Sequence, residues 1–399
     1  MKFSVNHIRT SGRIGCLTGI DAIAGQTLPT PLLTVYTRGG NVPHITHDVL
    51  QMITSENLLM HMPLTTIFTS CTSIESFGKG LSEFVGLKEY PSYVTPQDPA
   101  VLTPSGYNEA DKVAIWTKNG KRIVDPSRYM AMIESMKPNV YLSLCDGDTD
   151  SNSSKKRVSK CVSRSSHLLQ ECYRLHEASG VLKDSAFLAP IEGGYDTHAR
   201  RAFLEELSKY DVFGYVLDGL HNNGPEVENI KFISVESIVT ECLTHLPKEK
   251  LRVIHGAWNP VTLLQLVAAG FDMFDTSLPY LSTERGSAFT FLFNETMLAS
   301  DQTPKGNSDG LWYEICLEDV SYKEVFEPIS KDCECLACKN HTKAYIHHLL
   351  TSHELLGRVL LMIHNFHHYL EFFKSIRRAI ENDSLDSLIA LVQSQSPCT

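Results

Sequence analysis

Residues 186–220 read AFLAPIEGGYDTHARRAFLEELSKYDVFGYVLDGL, and the alternation inside this stretch decides the fold. Ala186–Ile191 is a nearly continuous apolar run that ends in Glu192-Gly193-Gly194. Residues 198–209 then space their apolar side chains as a helix does, and 212–217 form a second apolar run ending in Asp218-Gly219-Leu220. A short run apolar on both faces, an amphipathic helix and another such run make a βαβ unit, whose strands lie parallel and covered on both sides. The same pattern recurs outward in both directions. Residues 32–37, 140–145, 251–255 and 273–278 read as further strands, and 158–177, 235–246 and 261–269 as further helices. Right-handed crossovers between six or more such units, with no GxGxxG after the first strand, favour an α/β fold of the (β/α)8 barrel type over an open doubly wound sheet.

Composition agrees with a folded chain. The 399 residues are 42% hydrophobic and 21% charged, enough apolar surface for a large core and too much for disorder. The formal charge of −10 excludes a broadly basic surface, so any nucleic-acid contact has to be local. Residues 1–25 lack the apolar run and small-residue cleavage site of a secretory leader, and no stretch approaches the ~20 apolar residues of a spanning helix. Eight of the eleven cysteines stand singly, which suits a reducing compartment.

Acidic and small residues recur where strands end: Cys145-Asp146-Gly147-Asp148, Glu192-Gly193-Gly194, Asp218-Gly219 and Asp275. In a barrel these positions converge on the C-terminal face, where a ligand would sit, although Asp and Gly are also the usual residues of turns and caps. Residues 151–166 contain Lys155, Lys156, Arg157, Lys160 and Arg164 and no acid after Asp150, a local positive loop that could meet a phosphate backbone or be a solvated lead into a helix.

Cys333-Glu334-Cys335-Leu336-Ala337-Cys338 places three thiols in six residues, and His341, His347, His348, His353, His364, His367 and His368 follow. Three thiolates and one imidazole complete the closed tetrahedron of a structural zinc ion, whose binding free energy becomes folding free energy. Spacing alone does not choose among the seven histidines. Residues 341–350, 355–373 and 376–380 read as apolar helical stripes.

The segment CECLACKNHTKAY through HNFHHYLEFF resembles the zinc-binding C-terminal region of the tRNA-guanine transglycosylases, in which a CxCxxC is followed by a helical segment and a His-Asn pair. The resemblance implies Cys333, Cys335, Cys338 and His364 as ligands, with Asn365 beside them. Residues 13–46 resemble the family's first strand and loop, 191–207 its GIVQGG region, 213–220 its GYAIGGL region and 269–279 the segment that holds its nucleophile. The implied fold is a TIM barrel with an appended zinc subdomain, here written as a body of 1–315, with its last elements extending past the zinc insertion, and a zinc region with C-terminal helices of 316–399.

The family's activity exchanges guanine at the wobble position of certain tRNA anticodons for a deazaguanine, queuine in eukaryotes. That chemistry needs a carboxylate to attack ribose C1′, a second acid to manage protons, and a pocket that reads a base extruded from its stack. Asp275 matches the nucleophile position. No TDSGGFQ motif is present; its nearest counterpart, Phe68 to Ile74, puts Ser70 where the second carboxylate is expected. The pocket positions carry Asp146-Gly147-Asp148 for a DEC-like triplet, Glu192 before Gly193 for the QGG glutamine, and Asp218 before Gly219 for the first glycine of GGL, extra acids expected to repel one another and the RNA.

A retained zinc region with a degraded pocket resembles the non-catalytic accessory subunits of the eukaryotic branch. This implies a heterodimer with a catalytic paralogue, contact with tRNA, a zinc region near the dimer interface, and a cytoplasmic location, peripheral on the mitochondrial outer membrane. Two other readings are weighed: a self-sufficient transglycosylase with Asp146 or Asp148 assisting Asp275, and a queuine-binding or delivery protein. Homodimerisation of the isolated chain is left open.

Overall fold

The computed structural model describes residues 1–293 and 313–395. Eight strands close a parallel barrel: β1 (Leu32–Tyr36), β2 (Leu59–Pro63), β3 (Ser92–Thr95), β4 (Val140–Leu142), β5 (Ala186–Ile191), β6 (Gly214–Leu217), β7 (Leu251–Ile254) and β8 (Met273–Asp275). Each pairs with the next in sequence, and β8 returns to β1 in register Met273 to Leu32. The expected α/β barrel is therefore the fold.

Period-two alternation along each strand explains how one run feeds two cores. Ala186 and Leu188 point into the barrel with Leu32, Leu59, Tyr93, Val140, Val216, Leu251, Val253 and Met273. Phe187, Ala189 and Ile191 point outward, against the helices. An antiparallel sheet of Lys2–Ile8, Arg13–Thr18 and Leu28–Thr30 contributes Leu17 and Leu28 to the interior cluster and closes the barrel floor.

Helix ends follow local chemistry. Helix Lys155–Ala178 begins at Ser154, whose hydroxyl accepts the Arg157 amide, and buries Val158, Cys161, Ser165, Leu168, Leu169 and Cys172 at spacings of three and four. Helix Pro260–Ala269 starts with an Asn259 cap and a proline in its first turn, and stops at Gly270 with φ of +108°.

Several boundaries differ from expectation. The strand read over 273–278 ends at Asp275, because Ser277 already opens helix Ser277–Glu284. The positive segment 151–166 is a loop only as far as Ser154; from Lys155 onward it is helix. The two C-terminal stripes are one helix, Leu355–Glu381, while residue 341 caps helix Leu336–Asn340 and Lys343–Thr351 forms the next.

The hairpin of Ser287–Phe289 with Glu314–Cys316, helices Leu336–Asn340 and Lys343–Thr351, and the first part of Leu355–Glu381 enclose a small separate core around Ile329, Ile346 and Leu361. Farther along, Leu355–Glu381 buries Phe366, Tyr369, Phe373 and Ile376 in the barrel's outer core, and helix Leu385–Gln393 follows it there through Leu388 and Val392. Among the described residues no helix is long and apolar enough to cross a membrane.

Candidate functional site

Two places gather chemistry. In the small core, Cys335 caps helix Leu336–Asn340 and its Sγ accepts the Cys338 amide at 3.3 Å. His364, fully buried on helix Leu355–Glu381, brings Nδ1 to 3.7, 3.6 and 3.3 Å from the sulfurs of Cys333, Cys335 and Cys338. Its Nε2 lies 2.8 Å from the Phe289 carbonyl, which can only accept, so Nε2 carries the hydrogen and the Nδ1 lone pair faces the sulfurs.

The donor atoms of these four residues lie within 4.8 Å of one another. A tetrahedral ion with bonds of about 2.3 Å to sulfur and about 2.05 Å to nitrogen separates S from N by about 3.6 Å, which is the spacing found. The set can hold one metal ion, and none of the other six histidines belongs to it. Asn365 fixes the neighbouring strand: its Oδ1 accepts the Phe289 amide at 2.9 Å, and its Nδ2 donates to Ser287 O at 2.9 Å and Thr283 Oγ1 at 3.0 Å.

The second place is the C-terminal mouth of the barrel. Asp146, fully buried beyond β4, accepts from Arg157 through both oxygens, from Arg164 Nη1 at 3.0 Å and from Asn108 Nδ2 at 2.6 Å. Two arginines seven residues apart on helix Lys155–Ala178 thus converge on one carboxylate. Of the five cations read as a candidate RNA contact, Arg157 and Arg164 are turned inward to neutralise Asp146, and Lys155, Lys156 and Lys160 stay exposed.

Asp148 accepts the Gly106 amide at 2.6 Å, and Thr103 donates its amide to Asn222 O at 2.8 Å, so the loop after β3 is fastened across the opening. The cavity left beneath it, lined by His61, Cys145, Asp218, His221 and His255 among others, has a volume of about 50 Å³. Small-molecule sites occupy roughly 300–1,000 Å³. The fastened loop therefore leaves a narrow space at this mouth.

The mutual repulsion expected of the pocket acids is largely cancelled. Asp146 is paired, and Glu192, fully buried, has its carboxyl pushed well above the usual range by burial and then by Asp218. Cys161 donates its thiol to Glu192 Oε2 at 3.3 Å, and Cys145 to Asp218 Oδ2 at 3.2 Å. Gly219, at φ of +70°, has no space for a side chain, since a Cβ would stand 2.5 Å from Glu192 Oε2; at Gly193 it would stand 2.7 Å from the Arg200 amide.

Asp275 ends β8 at 2% exposure, its Oδ1 accepting from the Ser277 amide and its Oδ2 from the Gly256 amide, both at 2.8 Å. Ser70 precedes helix Cys71–Phe77, beyond β2, and is not among the residues lining the mouth. The acid that does follow β3 is Asp98, which the sequence reading passes over inside a Pro-Gln-Asp-Pro turn. It is 5% exposed, accepts from the Ala100 amide at 2.9 Å and from Tyr36 Oη at 3.0 Å, and is raised by burial to about 6. His61 and His255 were also missed; they stack with Tyr93 at centroid distances of 5.0 and 5.5 Å, and burial pushes His61 well below the usual imidazole value. Recognising β2 and β3 in the sequence would have pointed to both Asp98 and His61.

Comparison with known proteins places these features in a family. The queuine tRNA-ribosyltransferase profile matches residues 9–397. The chain is 38% identical to queuine tRNA-ribosyltransferase accessory subunit 2 of Aedes aegypti over 399 residues, covering 99% of this chain and 93% of that protein. The protein of that name from Ixodes scapularis is 39% identical over 374 residues, 92% and 93% of the two chains, and that from Drosophila mojavensis is 37% identical over 400 residues, 99% and 93%. A barrel of eight parallel strands, a Cys3His cluster at its side and a match over nearly all of its length make this chain a member of the queuine tRNA-ribosyltransferase family.

Proposed function

We propose that the chain is the non-catalytic accessory subunit of a queuine tRNA-ribosyltransferase. It pairs with a catalytic paralogue that exchanges guanine for queuine at the wobble position of tRNA, and contributes assembly and tRNA positioning. The observation that carries the reading is the narrowed mouth: a cavity of about 50 Å³ lined by Asp148, which holds the Gly106 amide, and Asp218, with Asp146 nearby already held by the chain's own arginines and Asp275 already accepting two backbone amides. Its similarity to proteins named as accessory subunits supports it.

In this reading the Cys3His ion is zinc, since three thiolates and one imidazole in a closed tetrahedron suit that metal, and its role is structural. Exposed Lys155, Lys156 and Lys160 remain available to an RNA backbone. The location is cytoplasmic, with peripheral attachment to the outer face of mitochondria. Incorporation of labelled guanine into tRNA by the purified chain, alone and mixed with its catalytic partner, tests the proposal. Exchange is expected in the mixture only; turnover by the chain alone at the rate of the mixture overturns it in favour of a self-sufficient enzyme.

A further inference from the structure

At the floor of the barrel lies a recess of about 350 Å³ whose charge is opposite to that of the chain as a whole. It opens beside the turn before strand Arg13–Thr18, helix Phe232–His245 and the end of helix Pro260–Ala269. Arg9, Arg13, Lys248 and Arg252 line it, and no acid does. The volume falls in the range of small-molecule sites, roughly 300–1,000 Å³.

The four cations differ in what they already hold. Arg13 grips Asp272 through Nε and Nη2 and donates to the carbonyls of Lys248 at 2.6 Å and Lys250 at 2.9 Å. Arg9 stands 3.3 Å from Asp383. Asp272 gives its remaining capacity to the Arg252 amide, at 2.8 Å. The Arg252 side chain, 7% exposed on β7, has no hydrogen bond or ion pair among the described residues, and its Nε is fully enclosed. Burial, followed by repulsion from Arg13, lowers it to about 10 against the pull of Asp272 and the exposed Glu249.

A guanidinium taken from water is costly unless an anion meets it. Capping of helix Pro260–Ala269 does not account for it, because the Arg252 side chain donates to none of that helix's carbonyls, and three of the last four already have partners: Ala268 O the Gly12 amide at 3.0 Å, Val267 O Gly270 at 2.9 Å and Leu266 O Phe271 at 3.2 Å.

We propose that this recess binds a small phosphate-class oxyanion, held by the Arg252 guanidinium and the Lys248 ammonium. A guanidinium fork matches two oxygens of a tetrahedral anion, and a lysine adds a point charge from the rim. With Arg252 only 7% exposed at its base, the recess suits a free or terminal phosphate better than a phosphodiester inside a strand.

Calorimetric titration of the full-length, metal-loaded chain with inorganic phosphate, at ionic strength held constant with chloride, tests the site. Saturable binding with a Kd of about 1 mM or tighter is expected. Arg252→Gln should weaken it about tenfold or more, Lys248→Ala about threefold, and Lys118→Ala, in the turn between the paired strands Val113–Thr117 and Gly120–Val124, not at all. Lys248 is exposed, so its variant keeps the test decisive even if Arg252→Gln fails to fold. Absence of saturation up to about 50 mM, or binding indifferent to both substitutions, overturns the proposal. A short RNA without terminal phosphates, added as competitor, separates the sources: no competition supports a free or terminal phosphate, whereas displacement of phosphate by the RNA overturns that choice of ligand.

Discussion

The metal centre and the barrel mouth are built from the same kinds of side chain and reach opposite ends. At the centre, three thiols and an imidazole are left with their lone pairs facing one another, and the second nitrogen of His364 is fixed by Phe289. At the mouth most of the acids have found an internal partner: Asp146 has Arg157 and Arg164, Asp148 has the Gly106 amide, and Asp275 has two amides, while His61 Nδ1 and Glu192 Oε1 are buried without one. A site prepared for a ligand keeps donors unsatisfied in a defined geometry; a site that has ceased to receive one closes its polar groups on itself.

The largest expected effect breaks the first side of the comparison. Cys338→Ser, or removal of the ion by a chelator, should lower Tm by roughly 10 °C or more, since apparent binding free energies at structural sites of this type are on the order of 10 kcal/mol. Thermal unfolding with metal content measured in parallel checks it, and an unchanged melt in metal-free protein would show that the four residues are only a packed cluster.

The second strikes the mouth. Asp146→Ala leaves Arg164 without its carboxylate and Arg157 with only the longer contact to Asp148, 3.5 Å away, and should cost about 3 kcal/mol in urea unfolding. Replacing both arginines by Met in the same variant should return much of the loss, because the cost arises from the charges left behind. Equal stability of the single and triple variants would mean that solvent already screens the pair.

A smaller effect sharpens the picture of the loop after β3. Asp98 has a folded pKa of about 6, above the unfolded value near 3.9, so the folded chain holds the extra proton between those values. Its contribution is full below about pH 4 and is lost as pH rises through about 6, by up to about 3 kcal/mol. Asp98→Asn should flatten that slope in denaturation curves taken from pH 4 to 7 and leave the chain more stable at pH 7 by about 1–2 kcal/mol. An unaltered slope would assign it to other groups.

The same contrast governs what can be read from the residues. Cys333, Cys335 and Cys338 lie in one hexapeptide, so their chemistry is legible at once, while the choice of His364 rests on a family likeness that the geometry then supports. Strands such as Ala186–Ile191 and Gly214–Leu217 are legible because both faces are buried and the run stays apolar. Leu59–Pro63, with a histidine and a proline among its five residues, and Ser92–Thr95, polar at both ends, carry no such run. The mouth is least legible, because its partners are distant in sequence: Tyr36 with Asp98, Gly106 with Asp148, Asp146 with Arg164. An acid at a strand end looks the same in sequence whether it waits for substrate or anchors an arginine.

Helix Leu355–Glu381 supplies His364 to the metal and, within the next four turns, Phe366, Tyr369, Phe373 and Ile376 to the barrel. The two cores consequently share a structural member, and truncation before residue 355 would strip the barrel of part of its own wall. Substitutions at the mouth can accumulate singly, each at local cost, whereas loss of a metal ligand is felt by the whole chain. A descendant of such an enzyme can surrender its chemistry step by step and still be unable to discard its metal.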